Sequence, residues 1–123
     1  MCFVRVLIVD DSKVMRSAVV RVMRQAGYEF EFEQAGDGKE ALEKLPTFKP
    51  DLILSDWNMP TMNGIMLLRQ LRTDGNRIRF GFITSRSTLG SKEEALRAGA
   101  QFFIFKPFSA DDFIEALGPP PQK

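Results

Sequence analysis

Five polar residues are distributed along the chain in a pattern that could bind a cation and a phosphoryl group. Asp10 and Asp11 are adjacent, Asp56 lies near the middle of the chain, and Thr84 and Lys106 follow. Carboxylate oxygens are the hard ligands that Mg²⁺ prefers, and an aspartate carboxylate can also serve as a covalent phosphoryl acceptor. A lysine and a threonine supply the positive charge and the hydroxyl that phosphoryl oxygens require. Phosphoryl chemistry with Mg²⁺ is therefore available if the fold brings these residues together.

Short β-prone segments alternate with helical segments along the whole chain. Several of the β-prone segments are continuously apolar, which is typical of buried parallel strands. Five strands are predicted, namely Arg5 to Val9, Phe30 to Ala35, Leu52 to Ser55, Phe80 to Thr84 and Phe102 to Phe105.

Apolar residues at helical spacing predict a helix after each strand. In the first helix, Val14, Ala18, Val22 and Ala26 recur every four residues on one stripe, and Gly27 is the expected C-cap. The other four helices, the last two with a glycine stop signal, are marked by Ala41, Leu42 and Leu45; by Ile65, Leu68 and Leu71; by Ala95, Leu96 and Ala98 before Gly99; and by Phe113, Ile114 and Leu117 before Gly118.

Alternating strands and helices predict an α/β fold, a (βα)5 doubly wound parallel sheet covered by helices on both faces. Ligands of such sheets bind at the carboxyl ends of the strands. The polar residues occupy these positions, because Asp10 and Asp11 follow the first strand, Asp56 follows the third, Thr84 ends the fourth and Lys106 follows the fifth. We therefore expect them to converge on one site.

Three carboxylates at one edge of a sheet repel each other unless a cation neutralises them. Mg²⁺ usually binds one or two protein carboxylates and keeps several waters. We expect Asp11 and Asp56 to be direct ligands, Asp10 to act directly or through water, and Asn58 to offer its backbone carbonyl. The alternative for a single aspartate is a helix N-cap, and either Asp11 or Ser12 could cap the first helix.

The same residues meet the needs of phosphoryl transfer, which are alignment and neutralisation of three equatorial oxygens. Asp56 would attack the phosphorus, Lys106 would bind one phosphoryl oxygen and Thr84 would donate a hydrogen bond to another. A cis bond before Pro107, an isomer that X–Pro bonds take in roughly 5% of folded cases, would aim the lysine into the cleft.

Composition excludes several other classes of function. The chain has 123 residues, enough for one domain, and it contains no histidine, so that no Ser-His-Asp catalysis and no phosphohistidine can arise within it. The net charge of +1 gives no basic excess for nucleic acid, and we expect no nucleic-acid partner.

The N-terminal segment suggests a cytoplasmic protein. The apolar stretch from Phe3 to Val9 is interrupted by Arg5 and is too short for a signal peptide or a membrane span, so we expect no membrane association. Cys2 is the single cysteine, and we interpret it as inert packing in a reducing compartment. The last five residues, 119–123, are expected to form a disordered proline-rich tail.

Four sequence segments resemble the response-regulator receiver family, and in particular its stand-alone chemotaxis-type members. These segments are VDDS (Val9 to Ser12), DWNMPTMNG (Asp56 to Gly64), ITS (Ile83 to Ser85) and FKPF (Phe105 to Phe108). The resemblance covers nearly the entire chain and implies a receiver domain over residues 1–118. It also implies the flavodoxin-like strand order 2-1-3-4-5.

The resemblance further implies a phosphorylation-activated switch of a two-component phosphorelay, which catalyses only its own phosphoryl transfer and dephosphorylation. A partner histidine kinase or phosphotransfer protein would donate the phosphoryl group to Asp56. A downstream protein would bind the face formed by the fourth helix, fifth strand and fifth helix. We expect a monomer, with a phosphorylation-dependent dimer as the alternative.

Two residues depart from the chemotaxis members. Phe103 stands where those members often carry tyrosine, and it could form a switch with Thr84 or simply pack in the core. Arg86 stands where an acidic residue is common, which leaves the lifetime of the aspartyl phosphate open.

Other classes fit the sequence less well. A haloacid-dehalogenase-type phosphohydrolase has its nucleophile after the first strand in a DxD pattern, whereas Asp10 is followed by Asp11. The same aspartates would repel the phosphate of a flavin, and no P-loop is present. A degenerate receiver that acts as a constitutive interaction module is disfavoured by the intact Asp11, Asp56, Thr84 and Lys106.

Overall fold

The computed structural model describes residues 4–85 and 92–120. Cys2, Arg86 and the last three residues of the predicted tail lie outside these ranges. The elements, in chain order, are β1 (Arg5–Val9), α1 (Lys13–Gln25), β2 (Glu31–Ala35), α2 (Gly38–Phe48), β3 (Leu52–Ser55), α3 (Gly64–Thr73), β4 (Arg79–Ser85), α4 (Lys92–Ala98), β5 (Phe102–Lys106) and α5 (Ala110–Leu117).

The five strands form one parallel sheet in the order β2-β1-β3-β4-β5. The predicted α/β class and strand order are thus confirmed. Register aligns the strand ends that carry the polar residues, because Val9 pairs with Ser55 and Ser85 pairs with Lys106. Asp10 and Asp56 therefore leave neighbouring strands at the same level.

Each face of the sheet has its own hydrophobic core. One core joins the sheet to α2, α3 and α4 through residues such as Leu7, Ile53, Leu68 and Phe82, and the other joins it to α1 and α5. The central strands β1, β3 and β4 are buried on both sides, which explains why their sequences are almost continuously apolar. This packing fixes the strand ends on which the polar residues lie.

Helix α1 begins at a predicted N-cap, has its C-cap one residue before the predicted Gly27, and faces the core only in part as its sequence suggests. The hydroxyl of Ser12 accepts a hydrogen bond from the backbone N–H of Met15, so that Ser12 is the N-cap. Gly27, at φ 102°, follows the C-cap Ala26 in the left-handed conformation that glycine adopts easily.

Only part of the predicted apolar stripe of α1 faces the core, where Val22 and Ala26 pack partly buried. Val14 is 80% exposed, whereas Val19 and Met23 are the residues that the core buries. Apolar residues cover one broad side of this helix, so the four-residue spacing alone does not single out which of them pack most deeply on the sheet.

Two strand boundaries differ from prediction in a way that affects the site. Strand β4 extends to Ser85, and β5 includes Lys106, because these two residues continue the ladder between the strands. Lys106 is thus held by the sheet itself. Among the described helices, none combines the length and apolar character needed to cross a bilayer.

Candidate functional site

The turn between β1 and α1 separates the acidic pair into one buried and one exposed residue. Asp10 is 4% exposed, and its Oδ1 accepts a hydrogen bond from the backbone N–H of Ser12 at 2.9 Å. Asp11 points outward and is exposed. The capping role of Ser12 fixes this turn at the start of the helix, which leaves Asp11 available to a ligand from solvent.

Asp56 lies directly after β3, beside the acidic pair. Its backbone N–H donates to the carbonyl of Val9 at 2.9 Å, which extends the pairing of β1 with β3 by one residue. Its Oδ1 accepts a hydrogen bond from the N–H of Trp57 at 2.7 Å. The side chain keeps 13% of its surface exposed, so that one carboxylate oxygen is held while the group remains reachable.

Lys106 connects the two buried aspartates. Its Nζ lies 3.1 Å from Asp10 Oδ2 and 3.2 Å from Asp56 Oδ2. The lysine side chain is 21% exposed, and the Lys106–Pro107 bond is cis. Among the described residues, Lys106 is the cation that pairs with both of these carboxylates. The three groups therefore form one connected site.

Burial and charge shift the pKa values in this group. Burial is the main cause that raises the pKa of Asp10, and the nearby Asp56 charge adds to it, while the Ser12 amide and Lys106 oppose it. For Lys106, burial by itself lowers the pKa, but the charges of Asp56 and Asp10 outweigh burial and raise it. The amine is therefore held protonated, as binding of a phosphoryl oxygen requires.

The acidic group has the composition and spacing of a divalent cation site. One carboxylate oxygen from each of Asp10, Asp11 and Asp56 lies within 4.8 Å of the other two. Oxygens that share an octahedral Mg²⁺ at about 2.0–2.1 Å lie up to about 4 Å apart, which is close to this spacing. Asn58 lines the same surface cleft as Asp11. The residues present thus fit the ion.

Thr84 and Phe103 lie near this site on one face of the sheet. Thr84 is 1% exposed and pairs with Phe105, one position before the Ser85–Lys106 pair. The Phe103 ring lies 5.3 Å from that of Phe82 and 6.0 Å from that of Phe105, measured between centroids. The sheet register thus places Thr84 at the same end of the strands as Lys106. Phe103 lies on the neighbouring strand, where it pairs with Phe82.

Gly64 supports the site and was not predicted from the sequence. A Cβ at this position would lie 2.2 Å from the carbonyl oxygen of Asp56 and 2.7 Å from the Phe82 ring. The Gly64 N–H also donates to the carbonyl of Trp57 at 2.9 Å. The available signal was a glycine at the first position of a helix, directly after the N-cap Asn63. Glycine weakens a helix, so its presence there suggests that another group approaches the backbone closely.

Comparison with known proteins agrees with this geometry. A family model described as the response regulator receiver domain matches residues 6–118. The chemotaxis protein CheY of Thermotoga maritima is 38% identical over 113 residues, which are 92% of this chain and 93% of that protein. The response regulator MprA of Mycolicibacterium vanbaalenii is 33% identical over 114 residues, and the match covers 93% of this chain but 48% of MprA, so the chain spans about half the length of that relative.

Solved structures share the architecture. The chemotaxis response regulator CheY4 of Vibrio cholerae superposes with a TM-score of 0.81 at 32% sequence identity, covering 94% of this chain and 97% of CheY4. The similarity therefore extends over the whole sheet and the strand ends that carry the acidic residues.

Proposed function

Because this chain belongs to the response regulator receiver domain family of two-component signalling switches, we propose that it carries a phosphoryl group on Asp56 in a Mg²⁺-dependent reaction. Phosphorylation would then change a surface that binds a partner protein. The observation that carries the proposal is the position of Lys106, whose amine lies 3.1 Å from Asp10 and 3.2 Å from Asp56. A partly buried, charged amine beside a reachable carboxylate is what a bound phosphoryl group requires.

In the proposed transfer, a carboxylate oxygen of Asp56 attacks phosphorus. The new O–P bond forms as the P–N bond to a phosphohistidine of the donor breaks, and the histidine nitrogen leaves with the bonding electron pair. Lys106 contributes its positive charge to one phosphoryl oxygen, and Thr84 donates its hydroxyl to another. Mg²⁺, held by Asp11 and Asp56 with Asp10 directly or through water and the Asn58 carbonyl, would supply further neutralisation of the phosphoryl charge.

A phosphohistidine donor would lie outside this chain, because this chain contains no histidine. A histidine kinase or a phosphotransfer protein has the required chemistry. The same Asp56 phosphate would be removed by water that attacks at phosphorus, and the proposed role is therefore that of a switch that turns over only its own phosphoryl group.

The proposed output surface is formed by α4, β5 and α5. Leu96 on α4 is 46% exposed, and Phe103 and Phe105 on the edge strand β5 are partly buried. Because Phe103 packs on Phe82 and lies next to Thr84, a shift of the threonine toward phosphate would change the space available to its ring. A ligand shifts such a two-state equilibrium only by its difference in affinity for the two states.

The metal part of the proposal is testable through Trp57, which is 9% exposed and whose backbone N–H donates a hydrogen bond to the Asp56 carboxylate. Titration of its fluorescence with Mg²⁺ should give a saturable curve for the wild type and a much weaker one for Asp11→Asn. The matched control is Asp111→Asn, an exposed aspartate in the first turn of α5. Coincident curves for wild type and Asp11→Asn would place the metal elsewhere.

A further inference from the structure

Arg16 of α1 is the one basic side chain that reaches the backbone of the acidic turn within the described residues. Its Nη1 donates to the carbonyl oxygen of Asp10, and its Nε donates to Gln34 Oε1 at 2.9 Å. One guanidinium thus joins α1, the end of β1 and the neighbouring strand β2. This group has no part in the proposed phosphoryl transfer.

We propose that Arg16 is a positioning residue, which holds the Asp10–Asp11 turn in the arrangement that binds the divalent cation. The inference rests on the metal site of the proposed function and names a further residue for it. Outer contacts of this kind orient the groups that bind a metal and strongly influence its affinity.

The contacts of Asp10 explain how Arg16 could act. The Asp10 N–H donates to the carbonyl of Ala35 at 3.1 Å, and its carboxylate is held by Ser12 and Lys106. The Asp10 carbonyl is the remaining group of this residue, and Arg16 holds it. Since this carbonyl belongs to the peptide group that joins Asp10 to Asp11, its orientation influences where the exposed Asp11 carboxylate points.

Gln34 determines where Arg16 can reach. The glutamine lies on β2, one residue before Ala35, and its side chain accepts the Nε hydrogen bond, while its backbone carbonyl accepts a hydrogen bond from Lys44. A guanidinium presents its donors in a rigid planar fork, so fixing Nε also fixes Nη1. The pair of Gln34 and Arg16 therefore acts as one brace between β2 and the acidic turn.

Charge and position make opposite predictions for the loss of Arg16. The guanidinium brings a positive charge to the backbone of the turn that carries Asp10 and Asp11, so by Coulomb interaction alone its removal should tighten binding of a cation. If Arg16 instead positions the turn, its removal should weaken cation binding in spite of the favourable change in charge. The sign of the effect thus separates the two roles.

The experiment compares Mg²⁺ affinities, read from Trp57 fluorescence, for four proteins with otherwise intact sequences. Arg16→Met removes both hydrogen bonds and the charge, and Gln34→Met removes the brace without a change of charge. Arg21→Met is the matched control, because Arg21 is an exposed arginine of the same helix. Thermal unfolding of each protein without Mg²⁺ is measured in parallel.

We expect Arg16→Met to bind Mg²⁺ about tenfold more weakly than wild type, Gln34→Met to show a smaller loss, and Arg21→Met to match wild type. Unchanged or tighter binding by Arg16→Met would overturn the inference, as would a loss of thermal stability with no loss of affinity. If Arg16→Met does not fold, Gln34→Met decides, and wild-type affinity in that variant overturns the inference. Absence of Mg²⁺ binding by the wild type would instead overturn the metal site of the proposed function.

Discussion

The amine of Lys106 lies 3.2 Å from the carboxylate of Asp56, although β4 separates the strands that carry them. The lysine side chain therefore extends across the end of β4, where Thr84 is buried. This relationship places the three groups proposed to hold a phosphoryl group around one point. It also means that a change in any one of them alters the electrostatic environment of the other two.

Loss of Lys106 should destabilise the protein when no divalent cation is present. Lys106→Met leaves the buried Asp10 and Asp56 carboxylates without their nearest cation, and we expect the free energy of unfolding to fall by about 1–3 kcal/mol, less than for a fully buried pair because the lysine is partly exposed. Saturating Mg²⁺ should reduce this deficit. Urea denaturation in EDTA and in Mg²⁺ measures both values, with Lys39→Met on the exposed surface of α2 as control. An equal deficit in the two buffers would contradict the account.

Stability should depend on pH through Asp10. Its pKa is raised by burial, so between the ordinary value of about 3.9 and the raised value the folded state binds more protons than the unfolded state. The free energy of unfolding should therefore decrease as pH rises through this window, and this decrease should be absent in Asp10→Asn. Urea denaturation in EDTA at several pH values from about 4 to 7 gives the two slopes.

The pKa of Glu33 is lowered, chiefly by the hydrogen bond from the backbone N–H of Gln34. This shift has the opposite effect on stability, because the free energy of unfolding then decreases as pH falls below the ordinary glutamate pKa. It is present in both proteins, so it cancels in the comparison of wild type with Asp10→Asn. Parallel curves for those two proteins would show that Asp10 is not the group responsible.

Close packing at Gly64 should make this position intolerant of a side chain. The Cβ of Gly64→Ala would meet the Asp56 carbonyl at 2.2 Å, and we expect a loss of about 3 kcal/mol in the free energy of unfolding. Gly36→Ala is the control, because the nearest atom to its Cβ is a side-chain oxygen of Glu40 at 3.4 Å and the cost should be below about 1 kcal/mol. Similar costs in chemical denaturation would rule out a special role for Gly64.

The aromatic switch should respond to a hydroxyl at position 103. Phe103→Tyr should leave phosphorylation of Asp56 intact while altering the equilibrium between the two ring positions, because packing alone sets that equilibrium in the wild type. Side-chain NMR of Phe103 and its neighbours, with and without a stable phosphoryl mimic, measures the change. An unchanged ring environment in a fully liganded wild-type sample would mean that the signal leaves the site by another route.

The sequence predicted the fold well because the central strands are nearly continuous apolar runs and the turns carry distinct signals. For α1, the sequence offers Asp11 or Ser12 as the N-cap, and the structure has Ser12. The glycine signal at position 27 places the end of the helix to within one residue. The buried face of α1 is predicted only in part, because Val14 and Val19 are chemically alike and only the tertiary structure distinguishes them.

The candidate site was predicted in its composition but not in its supporting contacts. Asp10, Asp56 and Lys106 each lie at a strand end, and parallel strands bring such ends together. The contact of Arg16 with the Asp10 carbonyl involves a backbone group and a side chain six residues away, so no pattern of residue types reveals it. The close approach to Gly64 likewise depends on how the loop after β3 folds back.

Phosphorylation of the purified chain tests the central claim most directly. The protein is incubated with a small phosphodonor in Mg²⁺ or in EDTA, and intact-mass analysis counts the phosphoryl groups on wild type, on Asp56→Asn and on the control Asp74→Asn, an exposed aspartate at the end of α3. The account predicts a single phosphoryl group on wild type and on Asp74→Asn in Mg²⁺, little in EDTA, and none on Asp56→Asn. Stoichiometric labelling of Asp56→Asn would contradict it.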